Sequence, residues 1–202
     1  MPTSHRISFI HRRRPFATAI LALTFGYAHT SLAANLPPHF DVNAKADVAS
    51  GLQCVVGNAT DADGMNARAW VAVEDAKTQK VRWATPVPLA KGWYQNQATH
   101  CLVNGKQVQA LIQSDTASDA SSAQTFVDVA SFDMTTGRLL SVAPVVAPGV
   151  HGRVSLSVDK DASHFELKNG QPVVTGTWTM LPDRAEETPF TASPSPAGKR
   201  GH

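Results

Sequence analysis

Apolar side chains recur at every second position through the middle of the chain. Trp70 and Ala72 alternate with Val71 and Val73, and Val81 and Trp83 flank Arg82. Val108, Ala110 and Ile112 share one parity, and Gln107, Gln109 and Gln113 the other. Val154, Leu156 and Val158 alternate with Arg153, Ser155 and Ser157; Phe165 and Leu167 flank Glu166; Val174, Gly176, Trp178 and Met180 alternate with threonines. A period of two marks strands with one buried face, because successive side chains point to opposite sides of the pleat. Turn chemistry falls between these runs. Asn104-Gly105 and Asn169-Gly170 predict two-residue hairpin loops in which both residues accept positive φ, and Gly137 closes a third turn after Thr135-Thr136. No long stretch has helical spacing with caps. The pattern predicts one all-β domain of about eight to ten short strands, a β-sandwich or a partial propeller-like set of antiparallel sheets.

The two ends of the chain read differently. Residues 1–33 carry Arg6, Arg12, Arg13 and Arg14 with no acidic residue, then an apolar stretch from Phe16 to Ala28, then Ser31-Leu32-Ala33-Ala34. That order predicts a signal peptide cut after Ala33. The apolar run is too short and too interrupted for a bilayer span, which takes about 20 apolar residues, so no membrane span is expected in the mature chain. Arg13-Arg14 leaves the export route open between the general and the twin-arginine pathway. The expected location is periplasmic or secreted. Residues 34–50, polar with Pro37-Pro38, read as a linker; residues 51–181 read as the all-β domain. Residues 182–202 read as a disordered tail, because Thr191 to Pro196 cannot bury enough apolar surface to order itself.

Export changes the charge. The whole chain has 18 Lys and Arg against 16 Asp and Glu, net +2; loss of the four leader arginines leaves 14 against 16, net −2. A near-neutral surface without a basic patch gives no electrostatic basis for nucleic-acid binding. Both cysteines, Cys54 and Cys101, lie in the mature part. In an oxidising compartment they are expected to form a disulfide, worth about 4 kcal/mol on the chain-entropy model. Two cysteines are too few for a structural zinc, which takes about four ligands.

One segment echoes another. Ala69 to Trp83 and Val127 to Ser141 align so that Asp75 matches Asp133, Thr78 matches Thr136, Lys80 matches Arg138 and Val81 matches Leu139. The unit is strand, Asp-x-x-Thr turn, strand, with the Asp and Thr side chains free to bond backbone inside the turn. It resembles the repeat of quinoprotein-type (PQQ-like) β-propellers, in which an Asp-x-x-Thr-Gly turn joins two strands and the second ends in Trp. Asp133 to Arg138 match that pattern; Asp75 to Trp83 match it with Gln79 in place of Gly. The resemblance covers about a quarter of the mature chain. It implies propeller-like blades, yet at about 40 to 50 residues per blade the chain holds about three, fewer than the four or more of a closed propeller. The quinone and calcium ligands of that family have no matching positions, so the resemblance brings no cofactor.

The remaining candidate chemistry is sparse. His164 and Glu166 share one parity, with Ser155 and Ser157 nearby in sequence, but no Gly-x-Ser-x-Gly elbow exists. Asp61-Ala62-Asp63-Gly64 opens like a calcium loop, but the twelfth position is Ala72 rather than Glu. No catalytic or metal constellation is expected. In Gly92-Trp93-Tyr94-Gln95-Asn96-Gln97, aromatic and amide side chains share a loop-like stretch, a combination suited to a sugar or protein partner. Trp93, Tyr94, Gln95 and Gln97 are therefore the candidate binding residues; the competing reading makes the aromatics a lid over the core. The expected function is an exported, non-enzymatic module binding a protein or cell-envelope partner. The alternatives are a periplasmic hydrolase using His164 and Glu166, and a subunit of a larger propeller assembly.

Overall fold

The computed structural model describes residues 35–119, 123–182 and 186–195, which build twelve strands and two three-residue 3-10 turns. The proposed leader, residues 1–33, lies outside the described residues. The first sheet is β1 (Phe40–Val48), β2 (Leu52–Ala59), β3 (Arg68–Asp75) and β4 (Val81–Pro86) in that spatial order. The second repeats the arrangement with β5 (Gln95–Asn104), β6 (Gln107–Asp115), β7 (Thr125–Asp133) and β8 (Leu139–Pro144). The third comprises β9 (Val154–Ser157), β10 (Phe165–Lys168), β11 (Gln171–Met180) and β12 (Thr188–Ala192). There β9 and β10 lie end to end along one edge of β11, at residues 177–180 and 171–174, and β12 pairs along the other. All pairings are antiparallel, and the three sheets do not close into a ring.

The local reasons are visible in the turns. Asp75 and Asp133 end β3 and β7. Asp133 Oδ1 accepts from the Thr136 N–H at 2.8 Å and the Thr136 hydroxyl at 2.8 Å. Asp75 Oδ1 does the same with Thr78, at 2.8 and 2.9 Å. These bonds favour the ionised form, so both carboxyls are held below the ordinary 3.8. The backbone closes identically in both turns: Gln79 N–H donates to the Asp75 carbonyl at 2.8 Å and Gly137 N–H to that of Asp133 at 2.9 Å. In the Asn169-Gly170 hairpin both residues have positive φ, 53° and 75°. The earlier hairpin differs from expectation. Asn104 is the last residue of β5 and pairs with Gln107, so the loop is Gly105-Lys106 and only Gly105 has positive φ. A glycine at the first loop position satisfies a type II′ turn without help from Asn104, whose amide instead reaches the Gly170 carbonyl at 3.1 Å.

Twelve strands exceed the expected eight to ten because two come from segments assigned outside the domain. Phe40 to Val48, placed in the linker 34–50, is the edge strand β1; its Val48 is buried. Thr188 to Ala192, placed in the tail 182–202, is the edge strand β12, where Phe190 is buried opposite Gly176. Its Pro189 is tolerated because an edge strand can present its missing N–H outward.

The expectation of a single buried face per strand also fails, at the second sheet. Val108, Ala110 and Ile112 of β6 join Val56, Val71 and Val73 of the first sheet in one core cluster. Leu111, the residue between them, joins Leu156, Phe165, Val174 and Phe190 of the third sheet in another. The second sheet is thus sandwiched, and even Gln109 is buried, 7 % exposed, its amide donating to Ser131 Oγ at 3.2 Å. The disulfide Cys54–Cys101 joins β2 to β5 and so ties the first sheet to the second.

Candidate functional site

The four candidate binding residues fall where the chain enters the second sheet, and they diverge. Gly92, at φ 84°, turns the chain. Trp93 then stacks on Phe126 with ring centroids 4.8 Å apart and planes 9° from parallel, over an apolar pocket that includes Val87, Leu89, Ile112 and Val142. Tyr94 is held through its backbone, its N–H donating to the Asp115 carbonyl at 2.9 Å and its carbonyl accepting from Arg68 at 3.0 Å. Gln95 to Gln97 is the start of β5, not a loop; the pairing of Gln95 with Asp115 and of Gln97 with Gln113 makes this stretch extended. Gln95 and Gln97, two apart, share one face, and that face looks onto a polar cleft between the second and third sheets.

The cleft has a volume of about 390 Å³. The second sheet contributes Gln97, Gln113, Asp115 and Thr125. Across from them stand the cross-strand pairs Thr177–Ser157 and Thr179–Ser155, with Glu187 just before β12. Among the described residues, Leu156 is the one apolar residue in the lining, and no Lys, Arg or His belongs to it.

Several lining groups are spent on holding the walls. Asp115 accepts from Gln95 Nε2 at 2.8 Å on one oxygen and from the Thr125 hydroxyl at 2.7 Å on the other. The Gln113 amide donates to the Val158 carbonyl at 2.9 Å and accepts from the Val158 N–H at 3.2 Å. Thr125 N–H donates to Ser155 Oγ at 3.0 Å. Others are unspent: among the described residues none bonds the side chains of Gln97, Ser157 or Thr179.

A second polar constellation pins the chain between β9 and β10. His100, 3 % exposed, has Nε2 2.9 Å from the Asp161 carbonyl and Nδ1 3.0 Å from the Thr99 hydroxyl. A carbonyl only accepts, so Nε2 carries the proton and Nδ1 accepts from Thr99. Burial is the largest influence on this ring and pushes its pKa below 6.5. His164 and Glu166, the catalytic alternative, take separate roles: His164 sits in the 3-10 turn Ala162–His164, and Glu166 pairs with Lys168 at 2.7 Å. Asp61 accepts from Asn66 and Asp63 from the Met65 N–H, as an Asp-rich β2–β3 turn requires. Among the described residues no three His, Cys, Asp or Glu side chains gather around a point that could hold a metal ion.

No protein-family model matches this chain, and no curated protein matches it.

Of the four candidate binding residues Gln97 alone is in the lining; Gln95 reaches it through Asp115. Gln113, Asp115, Thr125, Thr177 and Thr179 went unmarked because polar residues at alternate strand positions read as solvent-facing. The usable signal was the run of Ser and Thr at one parity in both Ser155–Ser157 and Thr175–Thr179.

Proposed function

We propose that this chain is an exported, non-enzymatic binding module of the periplasm or extracellular space that holds a protein or cell-envelope partner. The observation that carries the reading is the cleft of about 390 Å³ beside Gln97, walled by hydrogen-bonding side chains of which several have no partner among the described residues. A cleft of that size falls within the range of ligand sites. Gln113 and Thr125 tie its two walls together and Asp115 is bonded within one of them, so a partner meets groups already in place and the cost of ordering them is small. The site then comprises the Gln95–Gln97 start of β5 and the facing Ser and Thr pairs.

The test is co-sedimentation of the tagged full chain, exported by its own leader, with the insoluble envelope of its host. We expect specific retention that Gln97→Ala weakens. A chain that stays in the supernatant overturns the reading.

A second reading draws on the matched Asp75 and Asp133 turns and the two four-stranded sheets that carry them. They support a propeller-like subunit completed by further blades from other copies or chains. Sedimentation velocity separates the two, since a subunit of that kind associates and a free-standing module runs as a monomer.

A further inference from the structure

We propose that the cleft between the second and third sheets binds an uncharged saccharide, an inference that rests on the binding-module reading and names its ligand class. The first ground is size. A water occupies about 30 Å³ of liquid, so a cleft of about 390 Å³ has room for a sugar-sized ligand and far exceeds what a lone ion or bridging water fills.

The second ground is the chemistry of the lining. Each sugar hydroxyl both donates and accepts, and so do the Gln97 amide and the Ser157 and Thr179 hydroxyls, which no described residue bonds. Glu187 stands beside them as an acceptor with only a long 3.4 Å contact from the Thr177 hydroxyl. Hydroxyl to carboxylate bonds are charge-assisted and among the stronger ones a sugar makes. A polyol can therefore replace the cleft waters bond for bond, which is the condition for displacing ordered water without loss.

The third ground is what the lining repels. Asp115 and Glu187 bring negative charge, and among the described residues of the lining no cationic side chain offsets it. A phosphate, sulfate, uronate or nucleic acid would enter against that field and meet no Arg or Lys among the described lining residues. Apolar peptide anchors fare no better, since among the described residues Leu156 alone supplies apolar surface and hot-spot side chains need dry pockets. The two walls are also held at fixed spacing. Gln113 is bonded twice to Val158, Thr125 N–H to Ser155, and Gln124 Nε2 to the Val154 carbonyl at 2.7 Å.

Calorimetric titration of the full chain with glucose, N-acetylglucosamine and their short oligomers tests this, with glucose 6-phosphate and glucuronate as charged counterparts. We expect a neutral saccharide to bind, and its charged counterpart to bind at least about tenfold more weakly. Gln97→Ala and Thr179→Val should each weaken the neutral ligand about five- to tenfold, as the loss of one hydrogen bond does, with the thermal midpoint unchanged. Glu187→Gln should narrow the gap between glucuronate and glucose. No heat with any neutral saccharide, equal binding of charged and neutral sugars, or affinity indifferent to both Gln97→Ala and Thr179→Val overturns the proposal. Envelope co-sedimentation is read separately. If it persists while sugars fail, the binding module stands and its ligand is of another class; if sugars bind without co-sedimentation, the partner is a free saccharide.

Discussion

The indole of Trp83 rests on the backbone of Gly137. Its Nε1–H donates to the Met134 carbonyl at 2.8 Å, and a Cβ at residue 137 would lie 2.5 Å from Cδ2 of the ring. The last strand of the first sheet is thereby docked onto the β7–β8 turn of the second. Thr85 adds a bond from its hydroxyl to the Gly137 carbonyl at 2.8 Å, and Phe132 packs its ring 6.1 Å from that of Trp83.

This contact makes Gly137 irreplaceable for two separate reasons, its φ of 70° and the indole above it. Gly137→Ala is expected to cost on the order of 1–3 kcal/mol from overpacking and backbone strain, seen as a lower urea midpoint. The matched position Gln79 has φ 57°, and a glycine relieves a non-Gly residue of that conformation. Gln79→Gly should therefore stabilise the protein by about 1 kcal/mol or less, the relief being partly offset by greater chain entropy in the unfolded state. A loss of stability in Gln79→Gly would show that its side chain matters more than its backbone.

The Cys54–Cys101 bond spans 47 residues and crosses between sheets. Replacing both cysteines with serine, or reducing the native chain, should lower stability by about 2–4 kcal/mol, nearer 4 on the loop-entropy model. Chemical unfolding with and without reductant measures it; equal midpoints would mean the bond contributes nothing to stability.

His100 gives the fold a pH dependence. Its pKa in the folded protein lies below 6.5, chiefly through burial, with His164 opposing its charge and the Asp161 carbonyl favouring it. The unfolded chain therefore takes up this proton more readily than the folded one. The stability involved is fully present above pH 6.5 and is lost as the pH falls through the lower folded value. Asp75, Asp133 and Asp161 are also depressed, each by hydrogen bonds from its own turn, but their effect begins only as the pH approaches 3.8 from above. Unfolding midpoints should decline as the pH falls below about 6.5, well before the aspartates begin to act near 3.8, and His100→Gln should flatten that early decline alone. A decline confined to pH below 4 would assign the whole effect to the aspartates.

Leu111 tests the sandwiched second sheet. It is 0 % exposed and packs with the third sheet, while its neighbours Ala110 and Ile112 pack with the first. Leu111→Ala should cost about 2–5 kcal/mol and be as damaging as a truncation at Ile112. A surface-like loss of a few tenths would mean that this face of β6 is not core.

The amino-acid pattern alone established the all-β class, the placement of most strands, the Asp-Thr turns at 75 and 133, and the pairing of Cys54 with Cys101. All but the cysteine pairing are consequences of short-range physics, where alternation, positive-φ residues and side chain to backbone bonds act within a few residues of one another. What lies across from each face was decided only by the tertiary structure. Gln113 and Leu111 differ in polarity but share the side of β6 that meets the third sheet, so one seals a core and the other clamps a cleft. Phe40 to Val48 and Thr188 to Ala192 became strands because β2 and β11 offered them open edges, not because their own composition demanded it. The placing of Gln97 and Thr179 on one cleft, and the contact of Trp83 with Gly137, bring together residues far apart in sequence, through packing that no local period encodes.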